Sequence, residues 1–196
     1  MRLALLSILR DEATRLPQFL AALEDLEAHP SVEELCCSFY ENDSRDATAA
    51  LLGEWLRHSG RDPARTQRLA AARNQALQPL LQHWPFGAEA WLVVVDADLC
   101  ISAAQVLALI AVLGAAPGAA MACASAEQNV PDLFGHGAWS YYDTFALVDR
   151  AGRRGLTYAA VPFWDLADRA TWLAGRPVPV ASAFGGMAVA PLALVR

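Results

Sequence analysis

The sequence predicts an α/β fold in which a mostly parallel sheet is flanked by helices, and three observations carry that prediction. Apolar strand-like runs alternate with helix-periodic segments in the order strand, helix, strand, helix, which implies right-handed crossovers between parallel strands. The run Trp91-Leu92-Val93-Val94-Val95 has no polar alternation, as expected of a strand covered on both faces. With 196 residues, 55% hydrophobic and 18% charged, the chain has enough apolar material for a full core. The expected organisation is one domain over 1–196, in two halves, 1–100 and 101–196.

Leu3 to Leu9 reads as the first buried strand. Arg10-Asp11-Glu12 cuts the apolar run short and no small-residue cleavage site follows, so it is read as a strand and not a secretory leader. Thr14 to Ala28 places Leu16, Phe19, Leu20, Leu23 and Leu26 on one helical face. Leu35 to Tyr40 is a second strand, running into the acid-rich turn from Glu41 to Thr48. Ala47 to Arg57 is a second helix with Asp46 as its N-cap, Gly60 to Arg65 a loop, and Arg68 to Leu81 a third helix.

Trp84-Pro85-Phe86-Gly87 turns the chain into the central strand. Ser102 to Leu113 is a helix, Gly114 to Gly118 a turn, and Ala119 to Ala124 a small-residue strand. Glu127 to Tyr142 has no clear period and is read as irregular, the kind of long segment that is functional or disordered. Tyr141 to Arg150 returns to strand-like composition. Pro177 to Ala190 reads as an edge strand, a Gly185-Gly186 bend and a further strand. Paired glycines let a backbone approach a ligand closely, or merely turn a hairpin.

Composition excludes several classes. A net charge of −6 gives no electrostatic footprint for nucleic acid, and no basic run suits a membrane surface. Val106 to Ala116, the most apolar later stretch, is too short to span a bilayer. Cys36, Cys37, Cys100 and Cys123 contain no Cys-x-x-Cys pair and read as buried free thiols in a reducing compartment, so the expected location is cytoplasmic. No Gly-x-Gly-x-x-Gly or Walker loop follows the first strand.

The chemistry concentrates at strand ends. Ligands of open α/β sheets collect at the carboxyl ends of the strands, where Asp96-Ala97-Asp98 emerges. Two aspartates one residue apart can offer hard oxygens to a divalent cation, Mn2+ or Mg2+, that a diphosphate bridges. The competing reading makes Asp98 the cap of the next helix and Asp96 a solvated loop acid. Glu41, Asn42 and Asp46, with the hydroxyls of Ser44 and Thr48, can accept or donate hydrogen bonds to a nucleoside, or can simply build a polar turn. Arg68, Arg73 and Asn74 lie on the third helix, and an arginine beside a diphosphate would neutralise charge in a planar fork.

In this order the parts resemble a GT-A glycosyltransferase, with its Rossmann-like mixed sheet, which implies a nucleotide-binding half over 1–100 and an acceptor-side half over 101–196. More closely, they resemble the fungal capsule-associated and alpha-1,3-mannosyltransferase family. The resemblance is carried by the turn Glu41 to Thr48, by Arg68-Leu69-Ala70 leading into Ala72-Arg73-Asn74, by Asp96-Ala97-Asp98, by Tyr142-Asp143-Thr144, by Asp149-Arg150 with Gly152, and by Pro177 to Ser182 before Gly185-Gly186-Met187. It implies metal-dependent transfer of a hexose, mannose from a GDP-linked (or UDP-linked) nucleotide-sugar donor, to a glycan acceptor in polysaccharide biosynthesis, with retention. Asp96 and Asp98 would bind the cation, and Arg10, Glu41, Asn42, Asp46, Arg68, Arg73 and Asn74 the nucleotide-sugar. Asp98, Asp149 and Arg150 are the implied catalytic positions. Tyr142, Asp143, Gly185 and Gly186 would face the sugar or acceptor. The family's central motif more often reads Asn-Asp, so Asp98 is the position that carries over directly. Family members also continue past the Gly-Gly-Met strand, so a domain truncated at its C-terminus is expected. Two rivals remain: a sugar nucleotidyltransferase, which would want glycine in Ser7 to Glu12, and a non-catalytic nucleotide- or glycan-binding remnant.

Overall fold

β1 (Arg2–Leu9) is the strand on which the rest is assembled, buried from Leu3 through Ser7. It pairs in parallel with β2 (Glu34–Glu41) on one side and with β4 (Ala90–Asp96) on the other. A computed structural model describes residues 1–41, 43–59, 64–65, 76–82, 89–131, 137–141, 146–156 and 161–195. These form two compact units, Met1–Ala122 with Val189–Arg196, and Cys123–Ala188. The last residues of the chain return to the first unit.

In the first unit the sheet runs β3-β2-β1-β4-β8-β5, where β3 is Ala64–Arg65, β5 Ala122–Cys123 and β8 Met187–Pro191. The α/β expectation, mostly parallel with flanking helices, is met: β3, β2, β1 and β4 are all parallel. Alternation sorts the side chains. Ala4, Leu6 and Ile8 of β1 join Cys36, Tyr40, Ala90, Leu92 and Val94 against residues 76–82, which are helical (α3), and against Leu192 in the closing 3-10 turn. On the opposite face Phe39 meets Trp55 edge-on, which places α2 (Thr48–Ser59) there. α1 (Leu16–Glu27) packs against both α2 and α4 (Ala103–Gly114), and Trp55 Nε1 donates to Glu24 at 2.8 Å. Each predicted apolar position of α1 (Leu16, Phe19, Leu20, Leu23, Leu26) is buried.

Helices on both faces explain the apolar run of β4. They also fix a topological reversal. From β1 through β3 the chain steps one way across the sheet, and with α3 on the other face it returns to place β4 beside β1. The crevice between the carboxyl ends of β1 and β4 is thus the switch point of the sheet, where such folds bind ligands.

The second unit corrects two expectations. Residues read as irregular form an antiparallel pair, β6 (Glu127–Pro131) with β7 (Gly137–Tyr141), in register from Glu127 opposite Tyr141 to Pro131 opposite Gly137. Gln, Asn and Pro are poor strand formers, so the pairing comes from the partner strand and not from local propensity. Conversely, the described part of Tyr141 to Arg150 is no continuous strand, because Val148 makes only isolated bridges to Arg154 and Ser182. Two smaller differences lie in the first unit: Ala64–Arg65 adds an edge strand where a loop was expected, and β5 is two residues long.

A small core of Tyr141, Leu147 and Phe163, with Trp172 edge-on to Phe163, supports α5 (Leu166–Leu173). Asp165 caps α5 by accepting the Ala167 and Asp168 amides. None of the four cysteines is in a disulfide, and only Cys36 is buried while Cys100 is exposed. Cys123 donates to the Ala183 carbonyl, and burial pushes its thiol up to about 11.

Gly185 needs its missing side chain twice over. Its φ is +60°, and an added Cβ would run into the Ala124 carbonyl oxygen. The Ala124 amide donates to the Met187 carbonyl at 2.8 Å, so the two backbones are held together. Gly118, also at positive φ, has open space around it. Gly118→Ala is therefore expected to cost on the order of 1 kcal/mol from backbone strain. Gly185→Ala should lower the melting temperature much further, because the Ala124 backbone must move; equal shifts for the two would refute the close approach. In the first unit, Leu23→Ala should cost about 2–5 kcal/mol in a denaturant titration.

Candidate functional site

The loop after β1 and the loop after β2 are joined by side chains that bond to backbone. The Asp11 amide donates to Ser44 Oγ at 3.0 Å and the Arg45 amide to Asp11 Oδ1 at 2.7 Å. The Ala13 amide donates to Asp46 Oδ2 at 2.9 Å and the Glu12 amide to Thr48 Oγ1 at 2.7 Å. Asp11 and Asp43 take left-handed φ values of 55° and 51°, a conformation aspartate tolerates. Glu41 is buried at the end of β2 and accepts the Ser44 amide at 2.7 Å.

Asp46, expected as the N-cap, stands two residues before the first residue of α2 and ties that residue to the loop after β1. Oδ1 accepts both the Thr48 amide and the Thr48 hydroxyl, while Oδ2 holds Ala13. The Thr48 hydroxyl, followed by backbone amides, keeps this carboxyl below its ordinary range. Asp46 is thus a tie between two loops, with both oxygens engaged inside the protein. Arg10 is an exposed neighbour, its Nε 3.8 Å from Asp11 Oδ2.

At the end of β4, Asp96 continues the row Ala90, Leu92, Val94 and stands opposite Ile8 in the ladder. The chain then turns, with the Leu99 amide donating to the Asp96 carbonyl. The helix-cap alternative for Asp98 does not hold. Ser102 caps α4, its Oγ accepting the Gln105 amide while Gln105 Oε1 accepts the Ser102 amide at 2.8 Å. Asp98 is left half-buried, and its Oδ1 is a buried oxygen without a hydrogen-bond partner among the described residues.

An acid that sequence reasoning passed over lies close by. Burial first, and the charge of Asp98 second, push the Glu12 carboxyl up; Asp46 and Asp11 add to this and Arg15 opposes it. Glu12 leaves β1 as Asp98 leaves β4, so the two flank the switch point. The strand-end rule that singled out Asp98 applies equally to Glu12, which had been read only as the stop of an apolar run.

The donor set fits a hard divalent cation in part: an orphaned buried carboxylate oxygen on Asp98, Asp96 next along the chain but one, and like charge from Glu12. Among the described residues no three His, Cys, Asp or Glu side chains form a ready-made metal cluster. An open groove at the opposite edge of the sheet, lined by Met1, Arg2, Glu33, Glu89, Trp91 and Pro191, lies where no parallel strand ends.

The remaining sequence-selected residues fall elsewhere. Asn42, Arg68, Arg73, Asn74, Tyr142 and Asp143 lie outside the described residues. Asp149, Arg150, Gly185 and Gly186 belong to the second unit. Asp149 is buried and builds a turn: Oδ1 accepts the Ala151 and Arg153 amides at 2.9 and 2.8 Å, and Oδ2 accepts Arg153 Nε at 2.8 Å. The Arg153 amide is the main cause of its lowered pKa. Arg150 donates to the buried Asp168 on α5 at 3.1 Å. Both implied catalytic side chains of this unit are therefore engaged in holding a turn and a helix.

The Asp46 tie makes a pH prediction. Its folded pKa is depressed, so its contribution is present above the unfolded value and lost as pH falls through the folded one. The gap in melting temperature between wild type and Asp46→Ala should be constant above about pH 5 and shrink in stronger acid. A gap independent of pH down to the acid limit would exclude the tie.

Among solved structures, the chain is similar to S. aureus TarS 1–349, at 14% identity over 83% of this chain and 45% of that one, with a TM-score of 0.49. It is also similar to glucosyl-3-phosphoglycerate synthase from Mycobacterium tuberculosis in complex with phosphoglyceric acid (20% identity, 62% and 42% covered, TM-score 0.39). A third is 4-diphosphocytidyl-2C-methyl-D-erythritol synthase from Anaerococcus prevotii (10%, 92% and 78%, 0.42). The chain spans less than half the length of the first two. No curated protein matches it. No helix among the described residues is long and apolar enough to cross a membrane. A family model described as cryptococcal mannosyltransferase 1 matches residues 54–195, most of the sequence, and the chain belongs to that family.

Proposed function

We propose that this chain is a metal-dependent glycosyltransferase that takes a hexose, mannose from a GDP-linked donor, and passes it to a glycan hydroxyl with retention. Membership of a mannosyltransferase family supports the sugar and the reaction type. The observation that carries the placement is the buried Asp98 Oδ1 at the β1/β4 switch point, which has no partner among the described residues. A buried carboxylate oxygen without a partner is costly in a stable fold, and a ligand that satisfies it removes that cost.

Asp98, with Asp96, would hold the cation. When bound, such an ion neutralises the charge that builds on the departing diphosphate. The loops tied by Asp46, Ser44 and Thr48 present the backbone after β1 and β2 as a fixed rim, which limits the entropy lost when a nucleotide binds beside it. In a front-face transfer the anomeric carbon–phosphate oxygen bond breaks and the bond to the acceptor oxygen forms on the same side. The acceptor proton passes to the leaving phosphate oxygen, so no protein base is required.

Calorimetry with GDP and UDP, with and without Mn2+, tests the reading. Metal-dependent binding of one diphosphate is expected. Asp98→Asn should weaken it by more than about 100-fold, beyond the 10–100-fold typical of outer-shell changes. Equal binding with and without metal, or undiminished metal-dependent binding by Asp98→Asn, would count against the proposal and favour a remnant that binds without catalysis. Preference for a triphosphate would point to a nucleotidyltransferase.

A further inference from the structure

We propose that the groove at the amino ends of the parallel strands is a second glycan-binding site, which holds an acceptor chain by a stretch remote from its reacting end; the choice of a glycan rests on the proposed transfer to a glycan hydroxyl. The groove has a volume of about 570 Å3, within the range of small-molecule sites, and all its lining residues belong to the first unit. Its walls are the starts of three strands. Arg2 stands in register with Glu34 on one side and Ala90 on the other, and the Glu33 amide donates to the Met1 carbonyl at 2.8 Å. A site built on ladder hydrogen bonds needs little ordering when a ligand arrives. From Arg2 to Ile8 β1 runs about 20 Å, so the groove is a separate site from the switch point.

The lining decides the ligand. Alternation sets Trp91 in the row of Val93 and Val95, which are buried, yet Trp91 at the strand's start is only half-buried. Apolar surface left on an indole beside a cavity favours a ligand that covers it, as the CH face of a pyranose does. Met1 and Pro191 line the same groove. The polar lining carries both signs. Arg2 Nη2 donates to Glu33 at 3.3 Å and its Nε stands 3.8 Å from Glu34, so the guanidinium fork is held in place with N–H donors to spare. The Glu33 side chain is 64% exposed, and Glu89 is exposed with no ion-pair partner among the described residues. Glu33 and Glu89 oppose an anion, and Arg2 opposes a cation. A neutral molecule rich in hydroxyls meets both, donating to the carboxylates and accepting from the guanidinium in charge-assisted hydrogen bonds.

The test is a titration of the full chain with mannotriose, and in parallel with cellotriose, followed by NMR without metal or nucleotide. The indole N–H resonance identified by its loss in Trp91→Phe should shift as a trisaccharide saturates the groove. Glu89→Ala, a change at an exposed position, should weaken that binding about 10-fold or more, with the melting temperature and Mn2+-dependent GDP binding unchanged. Asp98→Asn should hold the trisaccharide as the wild type does. A Trp91 resonance that neither trisaccharide moves, or wild-type trisaccharide affinity in Glu89→Ala, would overturn the groove site and leave the glycosyltransferase reading standing. Loss of trisaccharide binding in Asp98→Asn alone would put the sugar at the switch point and likewise overturn the groove. A wild type that shows no metal-dependent GDP binding yet shifts the Trp91 resonance with trisaccharide would support the groove and overturn the glycosyltransferase reading.

Discussion

The parallel pairing of β1 with both β2 and β4 is the constraint on which the rest depends. It requires helices on both faces, which forces the apolar continuity of Trp91 to Val95, and it requires the chain to reverse direction between β1 and β4. That reversal opens a crevice at the carboxyl edge, and the residues just beyond each strand inherit it. Asp98 and Glu12 owe their nearness to this pairing, since more than eighty residues of sequence separate them.

Acidic residues in this fold divide by what their oxygens face. Asp46 accepts the Thr48 hydroxyl and then backbone amides, while Asp149 and Asp165 accept backbone amides first, and those bonds lower their pKa values. Glu12 is pushed the other way, by burial and by Asp98. The first set secures loops, turns and a helix end. The second lies where the sheet offers a ligand its approach. Residue type alone does not separate these roles; the direction of nearby amides does.

Much of the fold was legible because it rests on periodicity. The five apolar positions of α1 and the unbroken run of β4 each report burial directly, and Ser102 with Gln105 marks a helix start in a familiar pattern. β6 and β7 were not legible, since Glu127 to Pro131 becomes a strand through its partner and has little propensity of its own. At the candidate site, the strand-end rule singled out Asp98 but stopped short of Glu12, which follows another strand. Asp149 and Arg150 look like a functional pair in sequence; their contacts with Arg153 and Asp168 exist only in three dimensions.

The ladder that joins Arg2 to Ala90 also bears on how the chain acquires its structure. β1 can meet β2 early, after some thirty residues, yet its other edge stays open until β4 is available. Contacts of such long sequence separation slow folding and leave a strand edge exposed meanwhile. During synthesis the apolar rows of β1 and β2 would thus wait, half covered by α1, for a partner not yet made, so the interval before β4 emerges is when this protein is most prone to aggregate.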